Sequence, residues 1–186
     1  MEYSTDFNEA HRRTDINEGF RSDLKVDPGG ETYCGIARNK WPDWEGWKLV
    51  DSNQPVPEDM VKCFYLTNFW DDIRGGMMAS LSSEVAIKIF DISVNAGRSK
   101  AISVLQDALS LLNLNGKLYP DLKVDGRMGE LTLFSLKANL KDVSGSFKIN
   151  EARLLKVIEV LIDGFRIELM RAHPEKEIFR GWYTRI

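Results

Sequence analysis

Three side chains near the N-terminus, Glu18, Asp27 and Thr32, are of the types that cut a glycosidic bond. Such cleavage needs a protonated carboxyl that donates to the leaving oxygen. It also needs a carboxylate or a positioned water on the opposite face of the sugar ring. Glu18 precedes Gly19 at the end of a segment that reads as a helix, with Ile16 and Phe20 on either side. Apolar neighbours disfavour the carboxylate form and raise the pKa, as a general acid requires. Asp27 opens Asp27-Pro28-Gly29-Gly30, a turn that can carry a carboxylate across a cleft, and Thr32 can hold a water. Spacing alone does not separate this set from chance. Glu18 equally reads as a solvated helix-end glutamate, Asp27 as the first residue of a tight turn, and Thr32 as a hydroxyl bonded to backbone.

The surrounding chain must position these groups. Residues 6–18 read as a short polar helix with a thin apolar stripe of Phe7, Ala10 and Ile16. From Gly19 to about Pro57 the helical period disappears, and Trp41-Pro42-Asp43-Trp44 marks another turn. That stretch is too long for a simple connection, so it is expected to be a functional loop region, with an optional small hairpin around residues 24–37. Helical patterning returns at Pro57, runs through Met60, Phe64, Leu66 and Phe69 to about Asp72, and breaks at Gly75-Gly76. Residues 83–96 are apolar on almost every side, the mark of a central buried helix, with Gly97 as its C′ glycine. Residues 99–112 repeat apolar side chains on one helix face. A turn-rich patch follows from Asn113 to Gly129, in which Asp125-Gly126 reads as a turn. Helices are expected over about 130–140 and 151–172, the last burying Leu154, Leu155, Ile158, Leu161, Ile162, Phe165 and Leu169, before a short segment from Glu175 to Tyr183. The expected fold is mainly α, with about six or seven helices and one irregular or hairpin insert after the first.

Composition narrows the function. The chain of 186 residues suits one compact domain, or one domain with a small lobe. Its net charge of −3 is spread over mixed acidic and basic residues, which excludes the basic stripe of a nucleic-acid binder. General attraction to an anionic wall is excluded on the same ground. No apolar run is long enough to span a membrane, and the first residues lack the basic and apolar regions of a signal peptide. Cys34 and Cys63 show neither C-x-x-C spacing nor clustered histidines, so no zinc site is expected. Two mostly buried free thiols are the favoured reading, with pairing left open. His11 and His173 sit in polar helical contexts, read as exposed, and receive no catalytic role. Trp41, Trp44, Trp47, Tyr65 and Trp70 read either as stacking faces for sugar rings or as packing between loop and helices. Asn95 reads either as a cleft residue or as a helix-end cap.

Residues 18–36, from Glu18-Gly19-Phe20-Arg21 through Asp27-Pro28-Gly29-Gly30, Thr32 and Gly35-Ile36, resemble the N-terminal signature of glycoside hydrolase family 108. That family comprises bacterial and phage N-acetylmuramidases of the lysozyme-like superfamily, some of them named secretion activator proteins. Its Glu, Asp-Pro-Gly-Gly, Thr and Gly-Ile fall in the same register here without a gap. Further patches are similar in order: Phe90-Asp91 with Val94-Asn95-Ala96-Gly97, then Leu105-Gln106 with Ala108-Leu109, Val124-Asp125-Gly126, Gly129 with Thr132-Leu133, and Phe179-Arg180-Gly181-Trp182 with Arg185. The sequence departs where the family has Gly-Tyr and this chain has Phe20-Arg21, and where Cys34 replaces a Tyr. The first change alters the cleft floor beside Glu18.

The resemblance implies a lysozyme-like helical fold, with a catalytic region over 1–97 and a helical, peptidoglycan-binding-like region over 98–186 expected to pack with it. It implies an N-acetylmuramidase that hydrolyses the β-1,4 bond between N-acetylmuramic acid and N-acetylglucosamine without metal or cofactor. Glu18 would be the general acid, Asp27 and Thr32 would stabilise charge or orient water, and Tyr33, Asn95, Tyr65 and Trp70 would hold the sugar. Peptidoglycan strands are the expected partner and a monomer the expected state. The expected site of action is the cell wall or periplasm, reached by a route without a signal peptide or through a phage holin. A non-catalytic wall-binding or secretion-associated protein and a lytic transglycosylase are the rival readings.

Overall fold

The structure, a computed structural model, describes residues 2–14, 30–143 and 145–173. These residues form eight α-helices, one π-helical segment and one two-stranded hairpin, a mainly α fold with a small hairpin after the first helix. The chain divides into two compact units, Met1–Arg98 and Ser99–Ile186.

In the first unit, helix α1 spans Thr5–Arg13. Ser4 caps it by accepting the Phe7 N–H at 3.2 Å. Asp6 in its first turn and Arg12 and Arg13 in its last complement the helix dipole. The sequence predicts this helix to continue to residue 18, but it ends at Arg13 with Thr14 as C-cap. His11, expected to be exposed, is 6% exposed, because it lies on the same face as Phe7 and its ring stands 5.4 Å from that of Tyr65.

The hairpin pairs β1 (Thr32–Tyr33) with β2 (Ile36–Ala37) in antiparallel register, Thr32 opposite Ala37 and Tyr33 opposite Ile36. It falls within the predicted irregular stretch. That stretch also holds a helix the sequence did not announce, α2 (Gly46–Asp51). At six residues, with only Gly46, Trp47 and Val50 buried, it is too short for a periodic signal.

Helix α3 (Glu58–Tyr65) follows Pro57 and passes directly into a π-helical segment, Leu66–Trp70. The Asp71 N–H reaches back to the Leu66 carbonyl at 2.9 Å, the wider loop of a π turn. The extra residue brings Tyr65, Phe69 and Trp70 inward together. The chain then breaks at Arg74, whose φ is +52°, and Gly75 opens helix α4 (Gly75–Ala79) rather than only ending the previous one. A Cβ on Gly75 would run into the Trp70 indole.

Helix α5 (Ser83–Ala96) occupies the predicted bounds. Ser82 caps its start and Gly97, with φ +90°, closes it. It packs on α1, α4 and the π segment. Val85, Ala86, Ile89, Phe90 and Ile92 are fully buried. Phe7, Trp70 and Phe90 meet edge to face, with centroids 5.8 to 6.1 Å apart, and this trio forms the centre of the first core.

In the second unit, α6 runs over Arg98–Leu111, α7 over Glu130–Leu140 and α8 over Phe147–Ala172. Gln106 organises the turn-rich connection. Its Nε2 donates to the Asp125 carboxylate and the Arg127 carbonyl, both at 3.0 Å. Its Oε1 accepts from the Asp125 and Gly126 N–H groups, also at 3.0 Å. Gly126, as expected, makes a turn: its φ is +69°, and a Cβ there would strike Ser99. No helix among the described residues is long and apolar enough to cross a membrane.

Candidate active site

The hairpin is the described part of the candidate site, and several side chains hold it in place. Its turn residues, Cys34 and Gly35, have φ of +46° and +76°, both left-handed, the two-residue turn that matches strand twist. Gly35 is required for a second reason, since a Cβ there would lie 2.8 Å from the Tyr65 hydroxyl. That hydroxyl donates to the Cys34 carbonyl at 2.8 Å and pins the hairpin tip to the end of α3. Burial raises the pKa of the Tyr65 phenol well above its usual value, so it stays protonated and remains a donor. Burial likewise pushes the Cys34 thiol up; both cysteines are free, with Cys34 buried and Cys63 half-buried.

Arg38 clamps the base of the hairpin. Its Nε donates to Glu31 at 2.8 Å, its two terminal nitrogens to Asp51 at 3.2 and 2.7 Å, and its guanidinium lies 4.1 Å from the Trp47 ring centroid. The Asp51 carboxylate is the main reason its pKa is raised. One arginine thereby joins the residue before Thr32 to α2. Sequence reading missed Arg38, because its partners come from an acidic residue before the hairpin and a helix with no period. It also missed Tyr65 as an anchor, because its partner, the Cys34 carbonyl, lies 31 residues away in sequence.

The expected site residues separate into groups. Thr32 is half-buried on β1. Tyr33, also half-buried, stands 6.0 Å from Trp44. Asn95 is half-buried on α5, where its amide donates to the Asp91 carbonyl at 2.8 Å and the Asp91 carboxylate at 3.0 Å. Tyr65 and Trp70 are corrected from sugar-stacking surfaces to core residues. They are 2% and 3% exposed, Tyr65 stacked on Phe69 and Trp70 wedged against Phe7 and Phe90, so neither presents a face to a ligand. Glu18 and Asp27 lie outside the described residues, as does the terminal patch from Phe179 to Arg185.

Residues 12–97 match the family model of glycosyl hydrolase 108. That region resembles glycosyl hydrolase 108. The family match opens within the last turn of α1, takes in the hairpin and every element through α5, and closes on Gly97, inside the first compact unit. A solved structure, that of Brucella abortus SagA, is similar in fold over a longer span: 96% of this chain and 88% of that one, at 20% identity and a TM-score of 0.63. No curated protein matches the sequence. The chain is thus similar to glycosyl hydrolase 108 over most of its first unit, and similar in fold to SagA over nearly its whole length.

Proposed function

We propose that this protein is an N-acetylmuramidase that hydrolyses the β-1,4 bond between N-acetylmuramic acid and N-acetylglucosamine in peptidoglycan. The supporting observation is the register of Glu18, Asp27 and Thr32 inside the region that matches glycosyl hydrolase 108, with Thr32 on a hairpin fixed from both ends. In this reading Glu18 protonates the leaving oxygen. Asp27 stabilises the oxocarbenium-like transition state or orients water, and the Thr32 hydroxyl holds that water. Tyr33 and Asn95 remain candidates for contacts with the substrate; Tyr65 serves by positioning the hairpin. The second unit is proposed to bind the wall and the protein to act there.

The test is release of reducing sugar ends from purified peptidoglycan. Wild-type protein releases them, Glu18→Gln falls by roughly a thousandfold or more, and Thr32→Ala by roughly ten- to a hundredfold, the scale of losing a general acid or a positioning contact. Equal release by wild type and Glu18→Gln contradicts the assignment.

A further inference from the structure

Helices α7 and α8 pack on each other in the second unit, and the turn that joins them puts large apolar side chains into water. Val143, in the turn, is 100% exposed, and Phe147 and Ile149, in the first turn of α8, are 44% and 55% exposed. Asn150 fixes the backbone of this tip from within. It is buried, and its Nδ2 donates to the carbonyls of Leu140 at 3.3 Å, Asp142 at 2.8 Å and Gly145 at 3.4 Å.

Helix stability does not account for the residues chosen here. Ser146 caps α8 by accepting the Ile149 N–H at 3.4 Å, and a glutamate at that third helical position would bond back to the cap. Ile149 stands there instead. Lys148 occupies the first turn, where the helix dipole favours an acid, and that turn holds no acidic residue.

The outward charges at the tip have one sign. Among the described residues from 137 to 149, the exposed charged side chains are Lys137, Lys141 and Lys148. The acid of that stretch, Asp142, has a side chain only 6% exposed and lies 4.0 Å from Arg153, so its charge is turned inward. The whole second unit shares the bias. Residues 99–186 hold 14 Lys and Arg against 11 Asp and Glu, whereas residues 1–98 hold 11 against 17.

An apolar tip ringed by lysines complements a surface that is anionic outside and hydrocarbon beneath. A second copy of the chain would set three lysines against three. Three side chains also expose far less than the about 800 Å² per partner that a stable protein interface buries. A phosphate polymer in water offers Val143, Phe147 and Ile149 no hydrocarbon to enter. No described helix is long and apolar enough to cross a bilayer, so the contact is peripheral.

We propose that the α7–α8 tip docks on an anionic lipid bilayer, with Val143, Phe147 and Ile149 entering at the headgroup boundary and Lys137, Lys141 and Lys148 meeting lipid phosphates.

The test is cosedimentation of the full chain with vesicles of phosphatidylglycerol and phosphatidylcholine in equal parts, and with vesicles of phosphatidylcholine alone. Half-binding is expected at roughly 1 mM lipid or below for the anionic vesicles, and at least about tenfold weaker binding for the neutral ones. Phe147→Ser is expected to weaken binding about tenfold, and joint replacement of the three lysines by glutamine about a hundredfold. Val143→Trp places an indole at a site open on all sides, where folding does not depend on it. It is expected to tighten binding severalfold, and its emission, read as a difference from wild type, to move to the blue on anionic vesicles. No binding up to ~10 mM lipid, or equal binding to both vesicle types, overturns the proposal. Binding that Phe147→Ser and Val143→Trp leave unchanged, while the lysine replacements remove it, reports attraction to phosphate alone and overturns the lipid in favour of a soluble polyanion. A dimer in sedimentation velocity that Phe147→Ser dissolves overturns it in favour of a second copy.

Discussion

Tyr65 shows how a residue type misleads when its surroundings are unknown. An aromatic ring near a sugar-cleaving motif reads as a stacking face, yet the fold uses the hydroxyl, in a site closed to solvent, to fix the Cys34 carbonyl. Removing it in Tyr65→Phe is expected to cost about 1 kcal/mol in urea unfolding and to speed amide exchange at Gly35 and Ile36. Unchanged exchange there would show that the tip is held by other contacts. His11 carries a pH dependence of definite sign. Burial lowers its pKa below 6.5, with the nearby Lys62 acting in the same direction and Glu58 opposing. The unfolded chain therefore takes up a proton first, so the contribution of neutral His11 to stability is present above about pH 6.5 and is lost as pH falls from there through the lower folded value. A His11→Gln chain should lose less stability than wild type between about pH 7 and pH 5. Parallel melting curves for the two chains across that window would remove this role from His11.

At the scale of elements, what was legible had local causes. Helix α5 combines an apolar run, a serine cap and a terminal glycine, and α7 has a turn before it and a turn after, so both bounds could be read directly. Helix α2 could not be, because one turn and a half leaves no period. The π segment was read as ordinary helix, since its extra residue changes which rings face inward without changing composition. The candidate site divides in the same way. Thr32 is a candidate by its register with a motif, whereas Arg38 and Tyr65 act through partners distant in sequence, which spacing does not reveal. The burial of Trp70 depends on Phe7 and Phe90 arriving from two other helices. In the second unit, one side chain replaces a helix or strand as the organiser of a loop. Gln106→Leu takes the acceptor from the Gly126 N–H and leaves the Asp125 N–H only the Lys123 carbonyl, and is expected to destabilise the protein by about 2 kcal/mol, read as a lower urea midpoint. A midpoint at the wild-type value would mean that the loop is held without Gln106.

For the whole molecule, the sum of charges bears on how the proposed hydrolase would reach its substrate. A net charge of −3 gives no broad attraction to an anionic polymer, so the proposed association with the wall would rest on short-range contacts. Sedimentation of Glu18→Gln with purified walls should then change by less than about threefold between roughly 50 and 500 mM salt, a range over which screening abolishes exposed charge contacts. A steep loss of binding with salt would assign targeting to basic side chains instead.

The most direct measurement of the central claim is mass spectrometry of the products formed from purified peptidoglycan by the full chain, with Glu18→Gln alongside. The account predicts muropeptides with reducing N-acetylmuramic acid ends from wild type and intact walls with the variant. Products lighter by one water, carrying 1,6-anhydro ends, would contradict hydrolysis. Intact walls with both proteins would contradict catalysis itself and leave a wall-binding protein on a lysozyme-like frame.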